Sequence, residues 1–240
     1  MPNQSSILRR PALATLASAS MVAATLALSG CNIVTPVAYA IEGTGQIDAE
    51  YVLPDKKTVV FVDDPRNILT RTALRAAIGD AVGAELYDRE LLTTLVNTRD
   101  AIAISRQGVS GTVDAPSAGD MSMEAIARAL DCAQMIWIRP YTWDVVGRSD
   151  TQGIRPTAQA YVRVLDFDLK ARAYPSPEVL PRGREITAII RETDPNLLRT
   201  RATRTQVEDE LAAKLSREIT KLFYKHERLD LGENLGTRKR

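Results

Sequence analysis

The chain has 240 residues, 31 Lys and Arg against 30 Asp and Glu, 45% hydrophobic residues, two cysteines and one histidine. This near-neutral balance excludes bulk nucleic-acid binding and a strong preference for anionic lipid, both of which need a large excess of basic charge. Histidine and cysteine are too few for a zinc site built from those ligands.

The amino terminus has the parts of a secretory signal: Arg9 and Arg10, an apolar stretch from Ala12 to Leu28, and small residues before a cleavage point. A permanent spanning helix needs about 20 strongly apolar residues, and this run is interrupted by Thr15, Ser18, Ser20 and Thr25. Leu28-Ser29-Gly30-Cys31 resembles the lipobox of bacterial lipoproteins. The resemblance implies cleavage between Gly30 and Cys31, a diacylglycerol on the Cys31 thiol, and acylation of the new amino terminus with a chain such as palmitate. Each buried CH₂ contributes about 0.8 kcal/mol, and stable anchoring needs more than one chain, which triacylation supplies. Asn32 stands where an inner-membrane retention signal carries aspartate, which favours the outer membrane. Loss of residues 1–30 removes Arg9 and Arg10 and leaves 29 basic against 30 acidic residues, one net negative charge. Cys132 is then the one remaining thiol, so no internal disulfide is expected.

Residues 31–46 carry Pro36, Gly43 and Gly45 without a helical period and read as the lipidated cysteine and a tether, with a reach of about 45 Å from the lipid surface. Residues 47–229 are long enough for one ordinary domain, and 230–240 read as a disordered basic tail. Ile47, Ala49, Tyr51 and Leu53 alternate with polar positions, as in a lead-in strand or an extended packing segment. Thr58 to Val62 is a continuous apolar run of the kind buried on both faces. Leu74, Ile78, Val82 and Leu86 recur every fourth residue and predict a helix over 70–87. Gly79 and Gly83 within it cost about 1 kcal/mol each in helix propensity and suggest close packing of the helix on the sheet. Thr93 to Val96 makes a short strand, and Asn97 with Asp100 resembles the cap of a brief helix ending near Gln107.

Gly108 to Asp120 reads as a surface loop. Ser122 opens a helix that carries Ile126, Ala129 and Leu130 inward, with Cys132 as a small core residue at its end. In the strand from Met135 to Val146, Ile136 and Ile138 point one way. Trp137, Arg139, Tyr141, Trp143 and Val145 point the other, and Pro140 argues for an edge strand or a bulge. Thr157 to Phe167 and Ala171 to Tyr174 read as an antiparallel hairpin, followed by a third extended segment from Glu185 to Glu192. The last helix shows capping-box spacing at Thr205-Gln206-Val207-Glu208 and an apolar stripe through Val207, Leu211, Leu215, Ile219, Leu222 and Phe223.

This order predicts an α/β fold: a mixed sheet with helices packed on it and a long carboxy-terminal helix. Thr58-Val-Val-Phe-Val-Asp63, the segment from Ala125 to Ile138, and Tyr161-Val-Arg-Val-Leu-Asp-Phe-Asp168 resemble the pattern of the amino-terminal TolB domain, the curli-secretion lipoprotein and the lipoprotein activators of penicillin-binding proteins. That resemblance covers about Thr58 to Tyr174 and implies a non-enzymatic docking module of the cell envelope.

Catalytic patterns are sparse. His226 stands on a lysine-rich segment with no cysteine or serine beside it, and a general base needs an orienting partner. Asp63-Asp64-Pro65 ends the first core strand, where sheet proteins often place ligands, but it lacks the Asp-x-Asp of dehalogenase-type phosphotransferases. It reads as a turn with a helix-capping aspartate. No glycine-rich phosphate loop or nucleophile elbow is present.

Two groups are candidate interaction sites. One is Trp137, Tyr141 and Trp143 on one strand; the other is Arg199, Arg201 and Arg204, with Arg182, Arg184 and Arg191 upstream. No aromatics interleave those arginines as base-stacking platforms do. The expected function is that of a membrane-anchored, periplasm-facing lipoprotein binding an envelope protein, without cofactor, metal or nucleic acid. The alternatives are an oligomeric secretion or transport accessory, and a divergent hydrolase using Asp63 or Asp64.

Overall fold

A computed structural model describes residues 45–107, 122–146, 154–190 and 195–227. The signal segment, Cys31, the tether up to residue 44, the loop from Gly108 to Asp120, Arg191 and the basic tail lie outside the described residues. Two compact units divide the chain, Asp48–His226 and one made from its two ends. Of the latter, Gln46–Ile47 is a short exposed strand.

Within Asp48–His226, Thr58–Val62 forms β1, every residue of it buried. It pairs in parallel with β2 (Leu95–Val96) on one edge and β3 (Gln134–Asp144) on the other. β3 continues antiparallel into β4 (Thr157–Asp166), and β4 pairs antiparallel with both β5 (Ala171–Tyr174) and β6 (Arg184–Ile189). The result is one six-stranded mixed sheet. β5 takes the carboxy-terminal end of β4 and β6 the amino-terminal end, so the two share one edge of the same strand.

Helices lie on both faces. Val60 and Val62 face α1 (Ala73–Asp88) and the long α4 (Arg201–Thr220), whose Leu74, Ile78, Leu211, Leu215 and Ile219 are nearly inaccessible. Val59 and Phe61 face α2 (Thr98–Gln107) and α3 (Met123–Leu130) through Ala101, Ile102, Ile126 and Met135. Alternation in a strand sends neighbours to opposite faces, so β1 serves two cores at once. Cys132 is buried in the second of them, and burial pushes its thiol up to about 11, as befits packing.

Local chemistry sets the helix starts. The Asn97 side chain accepts from Arg99 N at 2.9 Å, and Ser122 Oγ accepts from Ala125 N at 3.2 Å. The carboxy-terminal helix departs from the sequence expectation. It begins five residues before Thr205, where Thr200 is extended and its hydroxyl accepts from Thr203 N at 3.2 Å. Thr205 lies inside the helix, where its own turn already uses the backbone donors. Glu208 is only 3% exposed and takes Arg71 Nε at 2.5 Å, while Arg71 also binds Asp209. Glu208, expected to close a cap, instead ties α4 to the segment entering α1, together with Asp209. Residues 48–57 hold no regular strand: Tyr51 N donates to Leu222 O at 3.1 Å, Tyr51 stacks on Tyr174, and Leu53 is buried. This is the extended packing segment rather than the lead-in strand.

Pro140 marks a bulge and not an edge, since β3 lies between β1 and β4. Pro140 pairs with Ala160 but Thr142 with Gln159, which leaves Tyr141 as the extra residue. Trp143 therefore pairs with the core residue Ala158, and Val145 joins the same core. Both lie on the face opposite Trp137, contrary to the simple alternation expected.

The two helix glycines differ in what they touch. A Cβ on Gly79 would lie 2.8 Å from Thr98 Oγ1 and 3.1 Å from Thr98 Cβ, so the close approach is to the start of α2 rather than to the sheet. A Cβ on Gly83 would meet Leu95 Cδ1 at 3.6 Å, an ordinary contact. Overpacking costs about 1–3 kcal/mol, against about 1 kcal/mol gained when alanine replaces a helical glycine. In urea unfolding, Gly83→Ala is expected to raise the midpoint and Gly79→Ala to lower it.

The β4–β5 turn rests on Asp166, 4% exposed. Burial pushes its carboxyl up, but the Lys56 ammonium at 2.8 Å and the backbone N–H groups of Leu169 and Asp168 outweigh this and hold it below the ordinary aspartate value. A carboxyl lowered by folding stabilises above its unfolded pKa, about 3.9, and loses that contribution as pH falls through the folded value. Urea midpoints measured from about pH 5 downward should fall more steeply for the native chain than for Asp166→Asn.

Candidate interaction site

The carboxyl end of β1 is built by its aspartates. Asp63 N donates to Ile138 O at 2.8 Å and carries the β1–β3 pairing one residue further. Asp64 is 5% exposed; its two carboxylate oxygens accept from Ile68 N at 2.8 Å and Leu69 N at 3.0 Å. Asp64 thus folds residues 64–69 into a compact turn and caps no helix, because α1 starts only at Ala73. Asp63 Oδ2 accepts from the indole Nε1 of Trp137 at 3.2 Å. His226 Nδ1 lies 3.1 Å from the Tyr224 carbonyl oxygen, and its ring meets Tyr224 edge-on.

Beside this turn, on the α2/α3 face of the sheet, lies an open cleft of about 470 Å³. Its floor is Trp137 on β3, only 5% exposed. The guanidinium of Arg163, one strand over on β4 and directly paired with Trp137, lies 4.4 Å from the indole centre; that of Arg139 lies at 5.7 Å. Such cation–π contacts hold the planar groups against the ring. Arg163 is fixed further by donating from Nε to Arg182 O at 3.0 Å and from Nη2 to Pro181 O at 3.2 Å. Burial, and then the charge of Arg139, lower its affinity for a proton.

The bulge shapes the far wall. Tyr141, displaced from the ladder, stacks on Tyr161 with centroids 4.4 Å apart, and its hydroxyl donates to Glu185 on β6. Burial first, and then that hydrogen bond, push the Tyr141 phenol up, so it is a donor at every physiological pH. Arg66, from the turn that Asp64 organises, and Arg182, from the loop before β6, complete the rim. Among the described residues, no carboxylate pairs with Arg66, Arg139, Arg163 or Arg182. Four arginines thus line one cleft with no ion pair among the described residues, two of them against its indole floor, at whose edge the Asp63 carboxylate stands.

Of the aromatic candidates, Trp137 and Tyr141 come together here, whereas Trp143 packs against the opposite core. Arg199, Arg201 and Arg204 stay exposed around the start of α4, the helix on the other face of the sheet, with Arg204 Nη2 donating to Leu198 O at 3.3 Å. The arginine run is also divided: Arg182 joins the cleft, and Arg184 pairs with Glu50 at 2.6 Å. Sequence reading missed Tyr161 and Arg163. Strict alternation with buried Val162 and Val164 places both on the outward face of β4, and that signal was available. No group of His, Cys, Asp and Glu among the described residues is disposed to hold a metal ion. No described helix is long and apolar enough to cross a membrane.

No protein family and no curated protein matches the chain. Solved structures with a partly similar backbone include the hypothetical protein CT253 from Chlamydia trachomatis, 16% identical, with 68% of this chain and 93% of that one covered at a TM-score of 0.41. A PelC dodecamer from Paraburkholderia phytofirmans is 8% identical, with coverages of 76% and 97% and a TM-score of 0.37. Lipoprotein GNA1162 from Neisseria meningitidis is 12% identical, with coverages of 58% and 83% and a TM-score of 0.35. None of these three is a TolB, curli-secretion or penicillin-binding-protein-activator domain. Likeness at this level assigns no function.

The two aspartates should respond differently to replacement. Asn at position 64 turns one acceptor into a donor facing a backbone N–H, and losing a hydrogen bond to a buried charged group costs about 1.5–3 kcal/mol. Asp63→Asn keeps an acceptor for Trp137 Nε1. Urea unfolding followed by tryptophan emission is expected to show a clear loss of stability for Asp64→Asn and a small change for Asp63→Asn.

Proposed function

We propose that the chain is a lipid-anchored, periplasm-facing lipoprotein whose α/β domain is a non-enzymatic docking module for another envelope protein. The observation that carries the docking role is the cleft on the rigid sheet, where Trp137, Tyr141 and Tyr161 are set among unpaired arginines. Tryptophan, tyrosine and arginine are the residue types that dominate binding hot spots. The anchor rests on Leu28-Ser29-Gly30-Cys31, and Asn32 supports the outer membrane as its place.

A hydrolase reading has less support. Both carboxylate oxygens of Asp64 are occupied by backbone donors, and Asp63 is held by the Trp137 indole. Nucleic acid fits poorly too, because the aromatic faces that bases would stack on are covered by guanidinium groups and by each other.

Two experiments test the proposal. Cys31→Ala is expected to lose incorporation of a labelled palmitate analogue and to leave the membrane fraction; a protein that stays wholly membrane-bound and labelled refutes the anchor. A photo-crosslinking amino acid at Tyr161 in cells is expected to capture one envelope protein reproducibly. A crosslinker at Tyr87, exposed on α1 against the other face of the sheet, should capture none of it.

A further inference from the structure

We infer that the cleft between Trp137, Tyr161 and the Asp64 turn binds an acidic peptide segment of the partner protein, its side-chain carboxylates paired with Arg66, Arg139, Arg163 and Arg182. The inference rests on the docking reading and specifies its chemistry.

Charge complementarity is the first argument. Elsewhere on this domain Arg71 binds Glu208 and Asp209, Arg184 binds Glu50, Arg89 binds Glu85 and Arg99 binds Asp80, whereas Arg199, Arg201 and Arg204 stay exposed without a carboxylate among the described residues; what sets the cleft apart is that four arginines converge on it. The four around the cleft have none among the described residues, and Arg163 is partly desolvated beside the like charge of Arg139. Grouping like charges on a rigid sheet is unfavourable in the free domain, and an anion that enters removes the repulsion.

The second argument concerns the kind of anion. A sugar ring or a base needs a bare aromatic face. Here Trp137 is only 5% exposed with Arg163 against its ring, and stacking takes one face each of Tyr141 and Tyr161. What the cleft presents outward is guanidinium, whose planar fork matches a carboxylate in bidentate fashion. The four charges come from four separate pieces of chain: the β1–α1 turn, β3, β4 and the loop before β6. An extended segment with several carboxylates reaches them together, whereas one phosphate reaches only one or two.

The test uses the full chain purified in detergent, in a Trp143→Phe background so that Trp137 reports alone. Hexaglutamate, hexaglutamine, inorganic phosphate and vesicles of one part phosphatidylglycerol to three parts phosphatidylcholine are titrated separately. Saturable change of Trp137 emission with hexaglutamate is expected, weakened at least tenfold by Arg139→Gln or Arg163→Gln and unchanged by Lys225→Gln. Equal response to hexaglutamine, preference for phosphate or vesicles, no saturable binding, or indifference to both arginine replacements overturns the inference. If circular dichroism shows Arg163→Gln unfolded, Arg139→Gln and Arg66→Gln carry the test. Crosslinking from Tyr161 in cells separates the two claims: a partner still captured by Arg139→Gln at native yield leaves docking standing and removes the acidic segment as its basis.

Discussion

Double burial of β1 is the constraint on which the rest of the domain depends. Five consecutive residues, Thr58 to Val62, are withdrawn from solvent on both faces, and parallel neighbours occupy both edges. A strand in that position has no freedom of register, because a slip by one residue exchanges the Val60/Val62 face with the Val59/Phe61 face and mismatches two cores together. Its carboxyl end is consequently a fixed point. Asp63 and Asp64 leave it in a defined direction, and the turn they organise brings Arg66 beside β3. Precision at the cleft is inherited from the centre of the sheet and not from the loop itself.

Charged groups then connect layers that apolar packing leaves adjustable. Arg71, in the segment entering α1, reaches two consecutive acids of α4, one of them buried. Arg75 of α1 donates to the last carbonyl of β1, Val62 O, at 3.0 Å. Lys56 reaches Asp166 and Asp168 across the start of β1. The first joins two helices, and the other two join a helix and a turn to the ends of the central strand, where hydrophobic contact alone specifies position poorly. Arg163 in the cleft differs in kind: it is anchored through two carbonyls and an aromatic ring, which orient it without neutralising it.

Much of this architecture was legible in the residues. The unbroken run at 58–62, the fourfold spacing from Leu74 to Leu86 and the alternation along β4 are periodic signals that burial enforces. Failures came where a single residue changes the count. The bulge at Tyr141 shifts everything after it by one, so Trp143 and Val145 exchange faces with no warning from local composition beyond Pro140. Thr205 and Glu208 have the spacing of a cap, yet Thr200 had the prior claim, and whether Glu208 serves the helix end or a distant arginine is decided by tertiary placement of Arg71. The cleft itself unites residues from positions 66, 139, 163 and 182. Sequence proximity suggested a different set, Arg199, Arg201 and Arg204, because contiguity is the only clustering a one-dimensional reading sees.

The shared edge of β4 bears on how this domain meets other molecules. β5 and β6 divide that edge between them, with four and six residues, and the opposite border of the sheet is the two-residue β2. Among the described residues β6, six residues long, pairs on one side only, so it is itself a border, the feature through which sheets of separate chains add to one another. The cleft lies on a face of the sheet and not on that border. Recognition at the cleft is carried by side chains, and its specificity can change by substitution on one sheet face without disturbing the hydrogen-bonded ladder beneath.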